Sequence, residues 1–193
     1  MVFQIAAFII LAVFYGCYFL KMFRQHQRGI QTDQIGRDKT GFVKGVERTM
    51  KAASFLVPIA EVVSILLNTA PLPLWARILG AGLGTLGAAV FISAVLTMGD
   101  SWRAGVSKRD KTALVTGGIF RWSRNPAFLG FDLVYLGMVL MFFNLPLFWL
   151  SLFAALVFHL QIVNVEEPFL QETFGETYLT YQKQVCRYLG RRR

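Results

Sequence analysis

The sequence predicts an all-α integral membrane protein with five transmembrane helices and a C-terminal amphipathic helix. Three observations carry that prediction. Apolar residues make up 55% of the 193-residue chain and aromatic residues 15%, with a mean hydropathy of +0.50, whereas soluble domains hold roughly 45–50% apolar residues. Apolar runs can be drawn at 2–20, 52–67, 78–98, 126–143 and 147–165, and a helix needs ~20 such residues to cross the hydrocarbon. The segments between them alternate in charge. Residues 21–51 hold eight Lys/Arg against three Asp/Glu and residues 99–125 hold six against two, while 68–74 and 144–146 hold neither. Basic loops stay cytoplasmic, which predicts an N-terminus outside, a cytoplasmic C-terminus, and a location in the inner or plasma membrane. The formal net charge of +9 therefore reads as topology and not as a nucleic-acid-binding face.

The elements follow in order. The run at 2–20 has no basic segment before it and no small-residue cleavage pattern after it, so it reads as a retained span and not a signal peptide. Residues 52–67 are short for a span and contain Pro58. The third run contains Gly82-Leu83-Gly84-Thr85-Leu86-Gly87, which matches G-x-G-x-x-G, but a dinucleotide site needs a strand before the glycines and a helix opening at them. In the middle of a span, Gly80, Gly84 and Ala88 instead make a small-residue stripe for close helix approach. Asn144-Leu145-Pro146 is so short that spans four and five must form an antiparallel hairpin. Glu61 and Asp132 lie inside spans, where each needs a partner or a polar cavity, and Arg77 beside Trp75 can snorkel. Cys17 and Cys186 make neither a disulfide framework nor a metal-ligand spacing. Beyond the fifth span, Leu170, Phe174, Tyr178, Tyr181 and Val185 recur at helical steps across Gly175, a pattern for a helix lying on the membrane or folding back over the basic loop. The closing Arg191-Arg192-Arg193 can meet anionic head groups. The chain reads as a single domain, 1–193, with three N-terminal spans in 1–98 and a loop, hairpin and C-terminal helix in 99–193.

The stretch from Lys111 to Gly130, KTALVTGGIFRWSRNPAFLG, organises the rest. A glycine-containing loop feeds an apolar helix that starts at Pro126, a residue tolerated in the first turn because its missing N–H has no helical partner. The free N–H groups and the helix dipole favour an anion there, and Arg121 and Arg124 add full charge. The hairpin brings Glu166-Glu167 beside this start. Cationic and acidic groups so placed suit a zwitterionic ligand; they also suit a plain ion pair of Arg121 or Arg124 with Glu166 or Glu167.

LVTGGIFRWSRNPAFLG, followed after the hairpin by EEPFLQETFGETYLTYQKQV, resembles the C-terminal signature of the isoprenylcysteine carboxyl methyltransferase and phospholipid methyltransferase family. The resemblance spans Leu114 to Val185. It implies an integral-membrane methyltransferase that binds S-adenosylmethionine at the cytoplasmic face and methylates a membrane lipid or amphiphilic acceptor, with no metal. Carried over by position, it implies a cofactor site of Leu114, Val115, Gly118, Phe120, Arg124, Asn125, Pro126, Ala127, Phe128, Gly130, Glu166 and Glu167. Arg124 and Glu167 are the expected catalytic residues; His159, two turns before Glu166, suits either a base for the acceptor or an ordinary interhelix hydrogen bond. Two departures are plain: Asn125 stands where the family has His, and Phe128 where it has Tyr. Residues 161–165 lack the Arg that relatives methylating a carboxylate can carry, which favours an amine, thiol or neutral head group as acceptor. Two other readings stay open, a nicotinamide-dependent membrane reductase with a related core and a non-catalytic lipid-binding protein that kept the fold.

Overall fold

The computed structural model describes residues 1–36, 39–106 and 112–192. Lys111, the first residue of the expected loop, and Arg193 lie outside the described residues. Regular structure among the described residues is helical: α1 (Val2–Gln27), α2 (Gly41–Leu67), α3 (Leu74–Met98), α4 (Pro126–Met141), α5 (Leu145–Gln161) and α6 (Glu167–Gln184). Short 3-10 turns occupy Gly99–Ser101 and Gly118–Arg121, and a single π turn at Ile162–Glu166 joins α5 to α6. The helices α1, α2, α3 and the one opening with α5 are long and apolar enough to cross a membrane. The fourth apolar run forms a shorter helix: the 16 residues of α4 span about 24 Å at 1.5 Å per residue.

Hydropathy underestimates the first two helices. α1 continues past Leu20, because Gln25 is buried and donates to the Trp102 carbonyl at 3.0 Å while accepting from Thr32 at 2.7 Å. α2 begins at Gly41, and its basic first half turns Val46, Glu47 and Met50 inward. Pro58 lies inside α2 without ending it.

The most extensive helix contact is α3 against α4, followed by α2 against α5 and α1 against α3. The first is made by glycine. A Cβ added to Gly80 would lie 2.6 Å from the Gly137 carbonyl, and one added to Gly87 would lie 2.7 Å from the Gly130 carbonyl. The expected stripe of Gly80, Gly84 and Ala88 thus faces a second stripe on α4. Gly130, expected in the cofactor site, belongs to this contact instead, since a Cβ there would meet Phe91 Cβ at 2.8 Å. Phe14, Phe91 and Phe131 pack beside it with ring centroids 4.7–5.3 Å apart.

The hairpin turn is held by Asn144, which accepts from the Leu147 N–H at 2.9 Å and donates to Ser64 Oγ at 2.7 Å, tying α5 to the end of α2. Arg77 donates to the Met141 carbonyl at 3.0 Å and lies over the Phe3 ring at 4.3 Å. Glu61 is fully buried and accepts from the Tyr15 hydroxyl at 3.2 Å; Asp132 Oδ1 is buried with no hydrogen-bond partner among the described residues.

The glycine contact predicts a contrast between two substitutions. Gly137→Ala forces a methyl into backbone 2.6 Å away and should cost about 1–3 kcal/mol, seen as a lower melting temperature in detergent. Gly82→Ala, inside α3 with nothing within 4 Å, should not lower the melting temperature, because Ala is the better helix former.

Candidate active site

The loop before α4 is shaped by one glycine. Gly118 takes φ +55, and a Cβ there would lie 2.9 Å from Thr97 Cγ2, so only glycine allows the turn this close to α3. The turn buries Phe120 and leads through Trp122–Asn125 to Pro126 at the first position of α4. The side chain of Asn125 does not cap the helix. The first intrahelical bond is Leu129 N–H to the Asn125 carbonyl at 3.1 Å, so the N–H groups of Ala127 and Phe128 precede it with no helical acceptor. The C-terminal segment holds the turn from outside: the Arg124 N–H donates to the Cys186 carbonyl at 3.1 Å, Asn125 Nδ2 to the Arg187 carbonyl at 3.1 Å, and the Gly190 N–H to the Trp122 carbonyl at 2.7 Å.

Behind the turn lies a buried charge cluster. Arg124 Nη1 stands 2.8 Å from Glu167 Oε1 and donates to the Tyr178 hydroxyl at 2.9 Å. Arg187 grips the same carboxylate with Nε and Nη2, each at 2.9 Å. The side chains of Arg124 and Glu167 are 3% and 8% exposed. Hydrogen bonding to Glu167 pushes Arg187 above its ordinary value, so its charge is fixed at any physiological pH. The ion pair that the sequence left open is therefore made by Arg124 with Glu167. Tyr181 donates to the Phe120 carbonyl at 2.6 Å and, with Tyr178 and Val185, packs α6 against the loop.

A cavity of about 670 Å³ opens in front of this cluster. Leu114, Val115, Phe120, Arg124, Asn125, Pro126, Ala127, Phe128 and Glu166 all lie in its wall, with Phe174, Tyr178 and Tyr181 from α6. Tyr15, Tyr18 and Phe19 of α1 and Ser54, Phe55 and Ile59 of α2 also belong to the wall. Phe19 and Phe55 are 63% and 69% exposed at that flank, which makes it a lipid-facing side of the bundle. Lys51 and Arg103 also line the wall.

Four expected site residues lie elsewhere. Gly118 shapes the turn and Gly130 the α3–α4 contact. Glu167 is held behind Arg124 and is not a wall residue. His159 lies outside the wall, with its Nδ1 2.7 Å from the Tyr188 hydroxyl. Sequence reasoning missed Tyr178, Arg187, Lys51 and Arg103 as parts of the site. Tyr178 and Arg187 had a local signal in the spacing of FGETYLTYQKQVCR; Lys51 and Arg103 had none, because distant segments bring them in.

The fold and the cavity define an integral membrane protein in which a cationic helix start shares a chamber with a lipid-facing flank. Residues 75–177, more than half of the chain, match the phospholipid methyltransferase family. The chain belongs to that family. It is similar to protein-S-isoprenylcysteine O-methyltransferase of Saccharomyces cerevisiae, 31% identical over 134 residues that cover 68% of this chain and 54% of the relative. It is also similar to the proteins of that name from Tribolium castaneum, 29% identical with 58% and 40% covered, and from Xenopus laevis, 31% identical with 58% and 39% covered. The chain thus spans about half the length, or less, of these relatives.

Tyr178→Phe removes the hydroxyl that receives Arg124 inside the protein. It should destabilise by about 1–3 kcal/mol, whereas Tyr188→Phe, whose hydroxyl bonds His159 at an exposed position, should shift stability by ~0.5 kcal/mol or less. Thermal unfolding of the two variants side by side measures the difference.

Proposed function

We propose that this chain is an S-adenosylmethionine-dependent methyltransferase acting on a lipid-like or amphiphilic acceptor at the cytoplasmic face of the inner or plasma membrane. The observation that carries the reading is one cavity whose wall joins two chemistries: the basic helix start with its aromatic neighbours, and residues of α1 and α2 that include the exposed Phe19 and Phe55. Methyltransferase relatives and family membership support transfer over reduction, and the basic loops support the cytoplasmic facing.

The wall suits the cofactor. Arg124 makes no bond with Nη2 among the described residues. That nitrogen, with the N–H groups of Ala127 and Phe128, forms a site for a carboxylate. Glu166 is placed to receive an ammonium group or ribose hydroxyls, and the Phe128 ring offers a face to a sulfonium. Leu114, Val115 and Phe120 provide an apolar wall for the rest of the molecule. S-adenosylmethionine would supply a methyl group activated on sulfur. The protein's part is to bind, align and exclude water, which is most of what such a transfer requires. Arg124 acts as the anchor and Glu167 holds Arg124 in place. Asn125, where the family has His, spends its amide on the Arg187 carbonyl and fixes the turn. Phe128, where the family has Tyr, packs on Phe158 with centroids 5.4 Å apart.

The acceptor enters from the α1–α2 flank with its apolar part among Tyr18, Phe19 and Phe55. The relatives are named for an O-methyl transfer, and the missing Arg in 161–165 argued against a carboxylate acceptor here. Arg103 brings a cation to the wall from another segment, whereas Lys51 of α2 is paired at 2.6 Å with Asp33 of the same wall; an anionic head group is thus admitted alongside an amine, a thiol or a neutral one.

Calorimetry on detergent-purified protein tests the reading. Binding of S-adenosylmethionine is expected; binding of NADPH in its place would favour a reductase, and binding of neither would favour a non-catalytic lipid protein. Arg124→Gln should weaken S-adenosylmethionine by about tenfold or more, the weight of a charge-assisted contact. Membranes incubated with methyl-labelled cofactor should transfer label to the lipid-extractable fraction, and the Arg124→Gln membranes should transfer less at a cofactor concentration below saturation.

A further inference from the structure

We propose that Arg187 is a positioning residue for the carboxylate end of the methyl donor: it occupies Glu167 so that Arg124 keeps its positive charge available to the cavity. The inference deepens the reading above and rests on it. Arg187 is not a wall residue of the cavity, so it acts through its neighbours.

The geometry is a three-member cluster with unequal shares. Arg187 takes Glu167 as a fork, Nε to Oε1 and Nη2 to Oε2 at 2.9 Å each. Arg124 reaches the same carboxylate with Nη1 alone, on Oε1, and shares that nitrogen with the Tyr178 hydroxyl. Both carboxylate oxygens are thus engaged by the residue behind, and the residue in front keeps Nη2 without a partner among the described residues. Two cations and one anion leave the cluster with net positive charge. Because Arg124 and Glu167 are almost fully buried, water screens that charge poorly. The Arg187 carbonyl also receives Asn125 Nδ2, so the same residue orients the turn from which the Ala127 and Phe128 N–H groups emerge.

Without the Arg187 fork, Glu167 is free to close bidentately on Arg124, the geometry that Arg and carboxylate prefer. The front of the cluster would then be neutral and its donors turned inward. A ligand with a carboxylate would lose its site, while a ligand that lacks one would lose nothing.

The test compares two ligands by calorimetry on the full chain in detergent. S-adenosylhomocysteine carries the amino-acid end; 5′-methylthioadenosine has the same adenosine and thioether without it. Arg187→Gln should weaken S-adenosylhomocysteine by about tenfold, the weight of one charge-assisted contact, and leave 5′-methylthioadenosine unchanged. Adding Glu167→Gln to Arg187→Gln should restore most of the lost affinity, since the quenching carboxylate is gone, and Arg187→Lys should fall between wild type and Arg187→Gln. Equal weakening of both ligands by Arg187→Gln, no weakening of either, or no recovery in the double variant would each overturn the proposal. Failure of the wild-type protein to bind S-adenosylhomocysteine would overturn the methyltransferase reading and this inference together.

Discussion

Glu167, at the junction of the π turn and α6, lies between the guanidinium groups of Arg124 and Arg187 with almost no water contact. A carboxylate so placed is tolerable only with its partners present, because stripping one partner from a buried ion pair costs about 3–5 kcal/mol. Three chain segments are consequently bound to one point: the turn before α4, the start of α6, and the segment after α6. Main-chain bonds from Arg124 and Gly190, and the bond from the Asn125 side-chain amide, to the opposite segment repeat the constraint at lower cost per contact. The helix start that faces the cavity is therefore held partly by Glu167 and Arg187, which are not wall residues.

The same turn must also sit at the right depth against α3. That position is set by glycine on both helices, since Gly80 and Gly87 approach the carbonyls of Gly137 and Gly130 more closely than any Cβ would permit. Close approach lets Phe91, Phe131 and Phe128 form an aromatic floor, and Phe158 of α5 joins it. The cavity is thus walled on one side by rigid helix packing and on the other by α1 and α2, whose outer aromatic residues Phe19 and Phe55 are left to lipid. A polar ligand and an amphiphile can meet there without either having to cross the bundle.

Much of this was legible in the sequence because it is local. The apolar runs, the hairpin at Asn144-Leu145-Pro146, the break at Gly175 and the meeting of Arg124 with the twin glutamates all follow from spacing and turn chemistry. Which glutamate pairs with Arg124 did not follow, because Glu166 and Glu167 are adjacent and only the π turn at Ile162–Glu166 decides which one faces inward. Gly130 was assigned to ligand binding because it lies in the motif; its neighbour Phe91 belongs to a distant helix and shows it to be a packing residue. His159 lies on α5, one π turn before the glutamates, and its ring is taken by Tyr188 from the C-terminal segment. Lys51 and Arg103 reach the cavity through tertiary packing alone, which no spacing rule reports.

The central claim is that the Arg124–Pro126 turn and the lipid-facing flank of α1 and α2 share one chamber for a sulfonium donor and its acceptor. The most direct measurement is an experimentally determined structure of the protein in a lipid nanodisc with S-adenosylhomocysteine. The account predicts ligand density with its carboxylate at Arg124 and the Ala127 and Phe128 N–H groups, its sulfur facing Phe128, and the chamber open from there toward Phe55. Density at another site, or a wall of side chains between the ligand and α2, would contradict it.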